Sequence, residues 1–129
     1  MRWILLSWVL VAAAVACGGD DDGGGFDAAP SGRACFSGAG PEDPTLLASP
    51  SLDCPSRICL HVEGQAMDQC TAFCEDPSDC VIAAETPCDG EFACEPPVDQ
   101  GPYGCRKVCV CESSLPEGGF PVSCESTSR

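Results

Sequence analysis

The sequence predicts a small disulfide-rich fold, irregular and loop-dominated, with a few short β-strands and little helix beyond its first 16 residues. Three observations carry that reading. The chain has 13 Cys in 129 residues, far more than an ordinary globular composition supplies. Large apolar side chains are scarce. From Cys35 onward, 95 residues hold 5 Leu, 2 Ile, 6 Val and 4 Phe; this is roughly 18%, below the ~20% at which a charged chain usually cannot fold by burial alone. Finally, 14 Gly and 12 Pro punctuate the chain with turn signals. Cysteines are the only groups numerous enough to substitute for the missing core.

Residues 1–16 come first. Met1-Arg2-Trp3 supplies one positive charge, and Ile4 to Ala16 is an uninterrupted run of apolar and small residues. As a helix that run extends ~20 Å, short of the ~30 Å hydrocarbon core of a bilayer. A basic start, a short apolar stretch and small residues at its end describe a cleaved secretory signal peptide. No Arg-Arg pair precedes the run, so the general secretory route is expected. The segment Ala14-Val15-Ala16-Cys17 resembles the lipobox of bacterial lipoproteins, with Ala14 where the strongest form has Leu. The resemblance implies cleavage before Cys17, acylation of Cys17 and attachment to a membrane through that N-terminal lipid anchor. Bacterial lipoproteins with Asp after the lipidated cysteine tend to stay at the inner membrane. Gly18 stands there instead, which implies the outer membrane of the bacterial cell envelope. Cleavage without acylation is the alternative and gives a secreted protein.

Residues 17–34 read as the lipidated cysteine followed by a flexible linker rich in Gly, Asp, Ala and Pro. A chain of that length and composition reaches about 23 Å. Asp20, Asp21 and Asp22 are adjacent, whereas calcium loops space their ligands at alternate positions, so these carboxylates are expected to be solvated. The full chain carries 6 basic and 20 acidic residues, a formal net charge of -14. Nucleic acid and anionic lipid surfaces are excluded as partners, because both are held by Lys and Arg. The balance suits a self-repelling surface domain, or a partner that is basic or rich in divalent ions.

Residues 35–129 form the cysteine-rich domain. Its twelve cysteines are Cys35, Cys54, Cys59, Cys70, Cys74, Cys80, Cys88, Cys94, Cys105, Cys109, Cys111 and Cys124. Assigning Cys17 to lipid turns an odd count into an even one and allows six disulfides. Export to an oxidising compartment favours disulfides over a zinc site, and no metal or other cofactor is implied. In Val108-Cys109-Val110-Cys111 the alternation predicts a strand, with the valines on one face and the two sulfurs on the other, serving different partners. Cys70 and Cys74, four apart, predict a helical turn. Cys59, Cys70 and Cys74 shifted by 35 fall on Cys94, Cys105 and Cys109, a spacing consistent with two stapled units, 54–87 and 88–124. The segment Cys70-Thr71-Ala72-Phe73-Cys74 through Asp79-Cys80 resembles a C-T-x-x-C-x5-C element of cysteine-rich exported bacterial proteins of unknown function.

Between the staples, Ile58 to Val62 alternates like a strand, and Phe120 to Cys124 reads as an edge strand entered from a Gly-rich turn. Phe36 to Asp53 reads as surface loop. His61, the only histidine, is expected to be structural and partly exposed. No nucleophile-base arrangement, zinc-protease motif or phosphate loop occurs, and Cys109-Val110-Cys111 is not a Cys-x-x-Cys redox pair. An enzyme is therefore not expected. The leading reading is a lipid-anchored structural or interaction module with a protein or glycan partner. Two alternatives remain: a small protease inhibitor using the loop Pro96 to Gly104, and a divalent-cation domain using Asp76, Asp79, Asp89 and Glu91.

Overall fold

The chain forms six strands of two to four residues. The computed structural model describes residues 29–125. In it, β1 (Ala34–Cys35), β2 (Leu46–Ala48), β3 (Cys59–His61) and β4 (Asp68–Cys70) form an antiparallel sheet in the order β1-β4-β3-β2. β5 (Phe92–Glu95) and β6 (Val108–Cys111) form a separate antiparallel pair. Among the described residues the helical elements are two 3-10 turns, Pro77–Asp79 and Glu112–Ser114. No helix among them is long and apolar enough to cross a membrane. The expected signal peptide 1–16, Cys17 and the expected linker as far as residue 28 lie outside the described residues.

The fold is thus small, strand-containing, loop-dominated and stapled by six disulfides. Alternation along β3 and β6 builds its interior. Ile58, Leu60 and Val62 meet Phe73, Val108 and Val110 in one apolar cluster, flanked by Leu47, Tyr103, Leu115 and Phe120. The intervening residues put sulfur on the opposite faces. Cys59 lies with Cys54 and Cys70 in one sulfur cluster, and Cys109 and Cys111 lie with Cys74, Cys94 and Phe92 in another. The bonds are Cys35–Cys59, Cys54–Cys70, Cys74–Cys94, Cys80–Cys109, Cys88–Cys111 and Cys105–Cys124. Neighbouring sulfurs of β6 therefore face one way and reach different partners.

Four features differ from the sequence expectations. Thr71 to Cys74 is extended, not helical. Phe73 bridges Val108, the Cys109 N–H donates to the Ala72 carbonyl at 2.9 Å and the Cys74 N–H to Lys107 at 3.2 Å. The reason is β6, whose second edge would otherwise leave buried main-chain groups unpaired. Phe120 to Cys124 forms no strand. It is held instead by Cys105–Cys124 and by the Ser123 N–H on the Asp99 carboxylate at 3.1 Å. The stretch Phe36 to Asp53 contains β2, which pairs with β3 at Leu46↔His61, Leu47↔Leu60 and Ala48↔Cys59. The pairing also ignores the 35-residue spacing. Cys59 joins Cys35 whereas Cys94 joins Cys74, and Cys74–Cys94 and Cys80–Cys109 tie 54–87 to 88–124.

Glycine is required at Gly32, where φ is +88° and an added Cβ would lie 2.4 Å from Thr86 Oγ1 and 2.6 Å from the Phe92 ring. Thr86 donates to the Gly32 carbonyl at 2.8 Å, so this contact closes the entering chain onto the second sheet.

Candidate interaction surface

The loop Pro96 to Gly104 leaves β5 and returns toward β6 under constraint at both ends. Cys94 is bonded to Cys74 before it and Cys105 to Cys124 after it. The Cys105 N–H donates to the Val98 carbonyl at 2.8 Å, and the Gly104 N–H to Gly101 at 3.1 Å. The turn is tight enough that a Cβ on Gly104 would sit 2.8 Å from the Asp99 carbonyl oxygen. Tyr103 packs on Phe73 with ring centroids 5.5 Å apart, and its hydroxyl donates to Ser49 Oγ at 3.2 Å. The Arg106 guanidinium lies 3.5 Å from the Phe73 centroid, a cation–π contact that locks the same corner.

Between this loop and β2 lies a groove of about 300 Å³ whose walls include Leu46, Leu47, Ser49, Val98, Pro102 and Tyr103. Carboxylates adjoin this lining in the chain. Glu42 and Asp43 precede β2, Glu63 donates its N–H to Thr45 Oγ1 at 3.1 Å, and Asp99 sits in the loop; all four are exposed. The ion pairs among the described residues are the exposed Arg33–Glu85 and the buried His61–Asp68, so these four carboxylates are not neutralised by a bridge. A second hollow of about 170 Å³, lined by Pro30, Arg33, Ile82 and Glu85 among others, lies where the chain enters.

His61 is 1% exposed, a correction to the expected partial exposure. It sits opposite Asp68 when the β3–β4 register of Cys59↔Cys70 and Leu60↔Gln69 is extended by one pair. Nδ1 lies 2.7 Å from Asp68 Oδ1 and Nε2 lies 3.1 Å from the Asp43 carbonyl oxygen. Ser37 donates to the other Asp68 oxygen twice, from its N–H at 2.8 Å and its hydroxyl at 2.5 Å. Burial alone would raise the Asp68 pKa, but the hydrogen bonds from Ser37 and His61 outweigh it and hold the carboxyl below the ordinary aspartate value. The grouping is wired unlike a hydrolytic triad, because Ser37 donates to the acid and not to the imidazole. It braces the loop that leads into β2.

The twelve cysteines expected to pair are all disulfide-bonded, and Cys17 lies outside the described residues. Sequence reasoning missed Ser37 and Asp68. A usable signal was present. Gly64, at φ +83°, marks a turn closed by the Gln65 N–H on Val62, and folding the chain about that turn sets His61 against Asp68. The proposed cation set is not gathered among the described residues, where the close groups of ligand-type side chains are Cys35, Cys54 and Cys70, and Cys74, Cys80 and Cys109. Asp79 instead accepts the N–H groups of Asp76 and Glu75, both at 2.9 Å, which lowers its pKa and caps a 3-10 turn.

Fold and surface together define the class: a small disulfide-rich domain in which six disulfides and six short strands hold a loop beside a strand edge. Comparison with protein-family models, with characterised proteins and with solved structures found no match.

Proposed function

We propose that this chain is a non-enzymatic, lipid-anchored interaction module of the bacterial cell envelope, tethered through acylated Cys17 and presenting a stapled surface to a protein or glycan partner. The groove between β2 and the loop Pro96 to Gly104 carries the reading. It has a mainly apolar lining and walls fixed by covalent and hydrogen bonds, so little ordering entropy remains to oppose binding. Membrane attachment draws its support from the lipobox-like Ala14-Val15-Ala16-Cys17 and from the closed pairing of the other twelve cysteines, which leaves one cysteine over.

The test is intact mass of the membrane-extracted protein, before and after reduction, for the parent chain and Cys17→Ser. The expected parent starts at Cys17, carries acyl chains and gains twelve hydrogens on reduction, two for each of the six bonds. Cys17→Ser is expected to leave the membrane fraction. A parent chain recovered without acyl groups would remove the anchor from the reading. The braced loop favours one second reading, a protease inhibitor whose loop Pro96 to Gly104 enters a cleft. Incubation with a panel of serine and cysteine proteases separates the two. Tight inhibition with slow cleavage in that loop supports the inhibitor, and resistance without inhibition supports the module.

A further inference from the structure

We propose that the outer edge of β2 receives an extended, basic peptide segment of a partner protein by strand addition, the segment lying in the groove beside the loop Pro96 to Gly104. This rests on the interaction-module reading and names the partner class for that site.

The argument begins with main-chain direction. In the β1-β4-β3-β2 order, β2 is an edge strand. Cys70 donates its N–H to Arg33 at 2.7 Å and accepts from Gly32 at 2.8 Å, so its main chain points toward β1. Peptide groups alternate along a strand, so Gln69 points toward β3 and its partner Leu60 points back toward β4. The Thr71 N–H on the Ile58 carbonyl, 3.1 Å, lies on that same side and confirms the phase. Cys59 and His61 therefore bond outward to their β2 partners, Ala48 and Leu46. Leu47, between them, is left with its N–H and C=O pointing away from the sheet. Among the described residues neither group has a turn, loop or side-chain partner.

A donor and an acceptor presented side by side on a strand edge match another extended main chain, and this match carries affinity in β-augmentation. The groove supplies the rest. Leu46, Val98, Pro102 and Tyr103 form an apolar wall for alternate side chains of the guest. Its volume is at the lower end of the ~300–1,000 Å³ range of ligand clefts, which fits a short stretch of chain and not a folded domain. Asp99 lies between the lining residues Val98 and Gln100, the Glu63 main chain is bonded to Thr45 beside Leu46, and Glu42 and Asp43 precede that strand, so carboxylates adjoin the lining in the chain. Arg106, the nearest cation in sequence to the loop, is committed to the Phe73 ring. Lys or Arg side chains on the guest's solvent-facing positions complete the charge pattern.

The probe is a synthetic heptapeptide alternating Lys and Val, with capped ends, added to the isotope-labelled full exported chain with its disulfides intact. Binding is expected to slow hydrogen exchange at the Leu47 amide at least tenfold and to move the Leu47, Val98 and Tyr103 resonances together. The same peptide N-methylated at alternate residues is expected to bind about tenfold more weakly, the order of one lost main-chain hydrogen bond. A Glu-Val heptapeptide is expected not to bind. Leu47→Pro deletes the outward N–H without removing a β2–β3 bond, and it should abolish the response. Because that variant also loses a flanking core side chain, Leu47→Ala serves as its control and should retain the response. The proposal is overturned by an unprotected Leu47 amide, by equal binding of the N-methylated or acidic peptide, or by a neutral oligosaccharide producing the same shifts. A partner cross-linked in the envelope equally by the parent and Leu47→Pro would sink strand addition while leaving the module reading standing. Loss of acylation and of every cross-linked partner would sink the module reading itself.

Discussion

At the scale of single residues, Asp68 does the most unusual work. One carboxylate accepts from Ser37 twice and faces the His61 ring, so three separate pieces of chain depend on its charge. Replacing it by Asn keeps the shape but puts an amide where donors converge. We expect Asp68→Asn to cost about 2–3 kcal/mol, the range for hydrogen bonds to a buried charged group, read as a lower urea midpoint under non-reducing conditions. The sign of its pH dependence follows from the direction of the shift. A carboxyl held below its ordinary value in the folded chain stabilises above the unfolded pKa, and that contribution is lost as pH falls through the folded one. Stability of the parent chain should therefore drop below about pH 4, and Asp68→Asn should lack that part of the drop. Parallel acid titrations of the two unfolding midpoints would show it, and identical slopes would refute it. His61 was legible as structural from the absence of a nucleophile beside it. Its depth was not, and its partner follows only when the chain is folded about the turn at Gly64, a register that the seven-residue separation alone does not announce.

At the scale of elements, β6 was the most legible piece. Val108 and Val110 enter the apolar cluster and Cys109 and Cys111 the sulfur cluster, as simple alternation requires. Val110 is 0% exposed, and truncating it leaves a void that the disulfides on the opposite face prevent from collapsing. Val110→Ala is expected to cost about 2–3 kcal/mol, toward the upper part of what a small core truncation produces. Equilibrium unfolding checks this, and a change under 1 kcal/mol would mean that the apolar cluster matters less than the sulfur. The neighbouring stretch misled because cysteines four apart fit one helical turn as well as an extended chain. Spacing alone cannot choose between them. What chose was non-local: β6 needed a second edge partner, and Ala72 with Cys74 supplied it. The same reason defeats the strand expected at Phe120 to Cys124, whose sequence alternates adequately but which has no neighbouring edge to pair with.

For the whole molecule, the question is whether the six disulfides are equivalent. In a chain-entropy account they nearly are. Cys80–Cys109 closes a separation of 29 and Cys105–Cys124 one of 19, a difference in loop closure worth only about 0.4 kcal/mol. Their surroundings differ far more. Cys109 is 2% exposed and packs with the bridges from Cys74, Cys88 and their partners, whereas Cys105 is exposed and its bond ties down a strandless tail. Sulfur here both cross-links the chain and fills its interior, so opening a buried bridge removes packing as well as constraint. We therefore expect the Cys80→Ser, Cys109→Ser pair to abolish a cooperative unfolding transition, since it places two hydroxyls in an apolar sulfur cluster that offers them no partners. The Cys105→Ser, Cys124→Ser pair should retain the apolar cluster and both sheets. Its loss should be about 2–3 kcal/mol, with faster amide exchange confined to Pro96 to Gly104 and the tail. Hydrogen exchange on the two variants separates the accounts. If both unfold alike, closure entropy alone holds the molecule and burial of sulfur contributes nothing further. If only the buried pair collapses, the cysteines have taken over the part of a hydrophobic core in a chain with too few large apolar residues to build one.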